Sequence, residues 1–165
     1  MASEGNERLI RSGTPVFRRT ALALAAGGFS TFAVLYAVQP LLPIFADAFG
    51  VSPAESSLAL SLPCGLLAVA LLVVSPLSEI WGRKPVMLAS LFASAVLTIV
   101  AALVPSWHGF LVLRALSGLT ASGLPAVAMA YLAEEMDAQA IGLSMGLLVG
   151  GNALGGMSGR LISAV

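Results

Sequence analysis

Five apolar stretches, each long enough to cross a bilayer, follow one another along this chain, at about residues 21 to 46, 56 to 79, 85 to 104, 109 to 133 and 139 to 162. A helical crossing takes ~20 mainly apolar residues. Hydrocarbon offers no partner to a backbone N–H or C=O, so each stretch must close its own hydrogen bonds as a helix. A transmembrane barrel would alternate apolar with polar residues, and these runs do not. Composition agrees: 58% of the residues are hydrophobic, only 10% are charged, and the mean hydropathy is +0.97. The expected fold is an all-α membrane protein, with residues 1 to 17 a loose polar tail and residues 18 to 165 the helical bundle.

Net charge is zero, but the basic residues are unevenly placed. Arg8, Arg11, Arg18 and Arg19 precede the first run, and Arg83 and Lys84 lie between the second and third. The connections after the first and third runs contain no Lys or Arg. By the positive-inside rule the N-terminus and the segment around Arg83 face the cytoplasm. Glu134, Glu135 and Asp137, in the fourth connection, then lie on the same side. An Arg18-Arg19 export signal is the weaker reading, because its apolar core would be ~7–15 residues, and this one continues to about Phe49.

Turn chemistry sharpens the boundaries. Ser52-Pro53-Ala54-Glu55 carries a capping hydroxyl, a proline in the first helical turn and a carboxylate three residues on, the elements of a capping box. Pro85 marks the start of the third helix, and Trp107 sits at headgroup depth in the turn before the fourth. Cys64 has no second thiol to pair with, and His108 reads as an interfacial histidine. No Ser/His/Asp, Cys/His or metal-ligand spacing appears, so neither an enzyme nor a cofactor or metal is expected, and nothing points to nucleic acid.

One polar wedge interrupts this apolar pattern, Ser78-Glu79-Ile80-Trp81-Gly82-Arg83-Lys84-Pro85. Together with Ser75 it resembles the signature between the second and third helices of the major facilitator superfamily, Gly-x-x-x-Asp-Arg/Lys-x-Gly-Arg-Arg/Lys. Gly82, Arg83 and Lys84 match in place, Glu79 stands for the Asp, Ser75 for the first Gly, and Ile80 replaces the first basic residue. A small residue at 75 permits close helix approach, Gly82 permits the turn, and a carboxylate at 79 suits a positive helix N-terminus. The resemblance implies a cytoplasmic gating network in which Arg83 pairs with Glu134 or Glu135, while Glu79 faces a helix of a second half.

Two further motifs extend the resemblance. Leu113-Arg114-Ala115-Leu116-Ser117-Gly118 is similar to the Arg-x-x-x-Gly motif of the family's fourth helix. An arginine at the centre of an apolar helix costs about 2.5–3.5 kcal/mol on insertion scales, so Arg114 either faces the protein interior or snorkels to the headgroups. In the fifth run Gly142, Gly146 and Gly150 form one stripe, and Gly151, Gly155 and Gly159 a second. Small residues at that spacing allow close helix packing. Gly142, Gly151, Gly155 and Gly159 also fall at the spacings of the family's antiporter signature, which has Pro where Gly156 stands and Gly where Arg160 stands.

The resemblance covers residues 20 to 165 and lies in the drug:proton antiporter branch of bacterial inner-membrane transporters. It implies the first five helices of a major facilitator fold, an incomplete N-terminal six-helix bundle of a longer protein whose remaining helices would be its partners. The last residues, Leu161 to Val165, are apolar without a polar flank, which agrees with that expectation. The implied activity is transport of a small organic solute by alternating access, in the efflux direction, with protons as a coupling ion. The alternative is a non-transporting membrane scaffold or a decayed transporter fragment. Tyr36, Gln39 and Asn152 read as either solute contacts or helix-to-helix hydrogen bonds. Arg114 and Arg160 both fall toward the outer side, where they would suit an anion. No Asp or Glu lies at membrane depth in the first, third, fourth or fifth run.

Overall fold

A computed structural model describes residues 9–165, and the expectations for residues 1 to 8, Arg8 included, lie outside it. Among the described residues, five helical spans are long and apolar enough to cross a membrane. Proline and glycine divide them into shorter helices. The first span is α1 (Pro15–Tyr36), a short 3₁₀ turn (Gln39–Leu41) and α2 (Leu42–Phe49). The second is α3 (Pro53–Ser56) running into α4 (Leu58–Trp81), the third is α5 (Arg83–Leu103), the fourth is α6 (Trp107–Ala121) with α7 (Gly123–Glu135), and the fifth is α8 (Ala138–Ser163).

Local chemistry sets each boundary. Thr14 Oγ1 accepts the Phe17 N–H at 3.2 Å and Pro15 opens α1, so the helix begins inside the stretch read as tail. The tail reading also fails at Ile10. Its N–H donates to the Glu135 carbonyl at 2.8 Å and its carbonyl accepts from the Asp137 N–H at 3.1 Å, a one-residue parallel bridge to the α7–α8 connection. Pro40 has no N–H for the Tyr36 carbonyl, and there α1 gives way to the 3₁₀ turn. Ser52 and Glu55 form the full capping box, with the Glu55 carboxylate accepting the Ser52 N–H at 2.8 Å. The fourth span was expected unbroken but is interrupted at Ser122, because Pro125 has no N–H for the Ala121 carbonyl.

Gly82 joins α4 to α5 at φ +89°, a backbone conformation that side chains with a Cβ rarely adopt. Around this frame α1 packs along α8, while α4 and α5 pack on α6 and α7. Phe17, Leu24, Met87, Leu124, Leu132 and Leu148 lie in a buried cluster toward the Gly82 end. Val38, Ala59, Ala101 and Phe110 form a second cluster at the other end, where the rings of Phe45, Phe49, Trp107 and Phe110 pack against one another. Leu72, Phe92 and Leu103 are among the large apolar side chains on the outside, as lipid contact requires.

Candidate functional site

At the Gly82 turn, Arg83 reaches across to α7. Its Nε donates to Glu134 Oε2 at 2.8 Å and its Nη2 donates to Glu134 Oε1, a two-pronged pair that ties the α4–α5 turn to the fourth span. Glu79 stands 4.0 Å from Arg83 Nη2 and is otherwise exposed. Glu135 was an equal candidate for Arg83, but the pairing goes to Glu134. Successive helical residues point about 100° apart, so only one of two adjacent acids can face the turn. Glu135 takes part instead through its backbone carbonyl, which Ile10 engages. Ser75 is half-buried and its carbonyl accepts the Ser78 hydroxyl at 2.7 Å. Lys84 is exposed.

Arg114 is inside the bundle and does not snorkel; only 2% of it is exposed. Nε donates to the Ala59 carbonyl at 3.0 Å and Nη2 to the Leu35 carbonyl at 3.1 Å. Both acceptors have a reason to be free. The helical donor for Ala59 would be the N–H of residue 63, which is Pro63 and has none. Leu35 belongs to the last turn of α1, where carbonyls run out of helical partners. One turn further along α6, Gly118 lies on the backbone of Pro63 itself, so that a Cβ there would collide with the Pro63 carbonyl and Cα. The Arg-x-x-x-Gly spacing thus places both residues against one proline-broken turn of α4. Arg114 also borders a cavity of about 80 Å³ that is lined by Ser30, Thr31, Ser94, Thr98 and Ser117 among others. Two of its N–H groups are held by backbone carbonyls of neighbouring helices.

The two glycine stripes of α8 separate. Gly151, Gly155 and Gly159 rest on the α1 backbone, where a Cβ would run into the carbonyl oxygens of Ala25, Phe29 and Ala33. Gly142, Gly146 and Gly150 meet nothing within 4 Å among the described residues, so the packing role expected of them is not seen. They lie on a different side of α8 from the stripe that α1 occupies.

That close contact brings the remaining polar candidates together. Arg160 Nε donates to Gln39 Oε1 at 2.6 Å, and its guanidinium carbon lies 4.4 Å from the centroid of the Tyr36 ring, within cation–π range. Gly156 makes room for that ring, with a Cβ there 3.2 Å from Tyr36 Cδ2. Arg160 and Tyr36 line an open cleft of about 480 Å³ together with Phe32, Asn152 and Met157. Asn152 Oδ1 is buried against Gly28 and has no hydrogen-bond partner among the described residues. Sequence reasoning had named these residues separately. It missed Pro63 and the hydroxyl contacts between α5 and α6, where Ser90 Oγ donates to the Thr120 carbonyl at 2.5 Å. The signal for Pro63 was present, as a mid-helix proline always frees a carbonyl four residues earlier.

Five apolar helical spans, a charged pair at one polar turn and an arginine held inside the bundle define a multi-pass helical membrane protein. Residues 24–165 match the Major Facilitator Superfamily, and the chain belongs to that family. It is 49% identical to the inner membrane transport protein YnfM of Escherichia coli over 158 residues, covering 96% of this chain and 38% of the relative. It is 50% identical to the MFS-type transporter YybF of Bacillus subtilis over 156 residues, 94% of this chain and 39% of the relative. Identity to the multi-drug resistance efflux pump PmrA of Streptococcus pneumoniae is 29% over 140 residues, 82% of this chain and 35% of the pump. The chain therefore spans about two fifths of the length of the first two relatives. No solved structure matches significantly.

Proposed function

We propose that this chain forms the first five helices of a secondary transporter of the bacterial inner membrane, N-terminus in the cytoplasm, that exports small organic solutes by alternating access. The observation that carries the reading is the Arg83–Glu134 pair at the Gly82 turn, with Glu79 beside it and turned outward. A turn locked on one side, with an exposed carboxylate beside it, is the half of a gate that a second bundle would close against. That YnfM is an inner membrane transport protein supports the membrane, and that PmrA is an efflux pump supports the outward direction.

The solute contacts are Arg160, Tyr36, Gln39 and Asn152, and the solute class is organic anions. Arg160 keeps its exposed edge toward the cleft, Tyr36 offers an aromatic face, and Asn152 adds a polar residue to the cleft wall. Where protons couple to transport, the titrating acid lies outside these five helices. The test is flux in vesicles containing the transporter with this chain as its N-terminal part, using matched anionic and cationic aromatic solutes. Outward movement of the anion is the expected result; flux of the cation alone would refute the proposed class.

A further inference from the structure

Arg19 of α1 and Lys84 of α5 are distant in sequence but line one cavity of about 400 Å³, which Tyr131 of α7 completes. The rest of the wall is largely apolar and includes Leu24, Leu88, Leu91 and Leu124. Among the described residues neither cation belongs to an ion pair, whereas the adjacent Arg83 is committed to Glu134. Glu135, one turn beyond Tyr131 on α7, does not line the cavity. The result is two positive charges and a phenol hydroxyl at the rim, above an apolar floor made by membrane-spanning helices.

We propose that this cavity binds an anionic phospholipid, its phosphate between Arg19 and Lys84, its headgroup within reach of the Tyr131 hydroxyl, and its upper acyl chain along Leu88 and Leu91. The shape of the site selects the lipid over a free phosphate ion. A free ion gains nothing from leucines and loses its water to reach them, while an amphiphile satisfies rim and floor together. The volume falls in the range of pockets that enclose a small organic ligand. A lipid held there joins α1 to α5, two helices that pack mainly on other partners, beside the turn that carries the Arg83–Glu134 pair. Binding does not depend on the proposed solute or direction; with the N-terminus in the cytoplasm, as proposed above, the lipid belongs to the cytoplasmic leaflet.

The test is native mass spectrometry of the 165-residue chain, released from micelles that contain equal amounts of phosphatidylglycerol and phosphatidylcholine. Retention of phosphatidylglycerol over phosphatidylcholine by on the order of tenfold is expected, from about fivefold per cation less screening. Arg19→Gln with Lys84→Gln should abolish the preference, and Arg19→Lys with Lys84→Arg should keep it, both with unchanged helical circular dichroism. Equal retention of the two lipids by the unaltered chain would overturn the proposal. So would an undiminished preference in the glutamine pair, or release of phosphatidylglycerol by millimolar inorganic phosphate, which would mark a free-anion site.

Discussion

Arg114 donates its Nε–H to the Ala59 carbonyl at 3.0 Å, an acceptor that Pro63 leaves without its helical donor. An arginine on the fourth span thus repairs a break in the second, and Gly118 on the same face lets the two backbones come close enough for the repair.

Removing the guanidinium strands buried carbonyls. Arg114→Met is expected to destabilise the chain by about 1–3 kcal/mol, the range for a buried polar group left unpaired. Pro63→Ala restores an N–H for the Ala59 carbonyl, so the loss caused by Arg114→Met should shrink by about 1 kcal/mol in that background. Denaturant-induced unfolding of the four proteins of this cycle in detergent measures the coupling.

The glycine stripes should respond in opposite ways. Gly155→Ala drives a methyl into the Phe29 carbonyl, and a loss of about 1–3 kcal/mol is expected from the forced separation of α1 and α8. At Gly146 a methyl meets nothing, and alanine is the better helix former by about 1 kcal/mol, so Gly146→Ala is expected to be neutral or stabilising. Thermal unfolding of the two variants decides between the faces.

Glu134 and Glu135 are adjacent acids with unequal roles. Glu134→Gln should quicken amide hydrogen exchange in the segment from residue 79 to 86 by up to about fivefold, in line with a partly exposed pair, while Glu135→Gln leaves it unchanged. Exchanging the charges, Arg83→Glu with Glu134→Arg, should restore part of the protection.

The Ile10 bridge predicts a protected Asp137 amide, because that N–H donates to the Ile10 carbonyl. Deleting residues 1 to 12 is expected to raise the Asp137 exchange rate about tenfold or more, while the amide of Leu132, deep in the helix, stays unchanged.

Much of the fold was legible because hydrophobic run length reports the bilayer directly. Pro40 and Pro125 were visible too, but whether a proline kinks or interrupts a span depends on what satisfies the freed carbonyls. That is a tertiary matter, settled at Ala59 by Arg114. Choosing between Glu134 and Glu135 required the rotation of α7 relative to the Gly82 turn, a quantity that one helix's sequence does not contain. Both glycine stripes have the same four-residue spacing, so only the position of α1 distinguishes the packed one. Tyr36, Gln39, Asn152 and Arg160 were named individually, and their convergence follows from that same α1–α8 contact.

Two arginines divide the labour: Arg114 joins helices through backbone carbonyls, and Arg160 is the proposed solute contact. The most direct measurement pairs unfolding stability with anion flux for Arg114→Met and Arg160→Ala in the vesicle-reconstituted transporter. Arg160→Ala is predicted to unfold within about 1 kcal/mol of the unaltered protein while its anion flux falls at least tenfold, and Arg114→Met is predicted to lose stability first. Unchanged anion flux in a stable Arg160→Ala protein would rule out Arg160 as a solute contact.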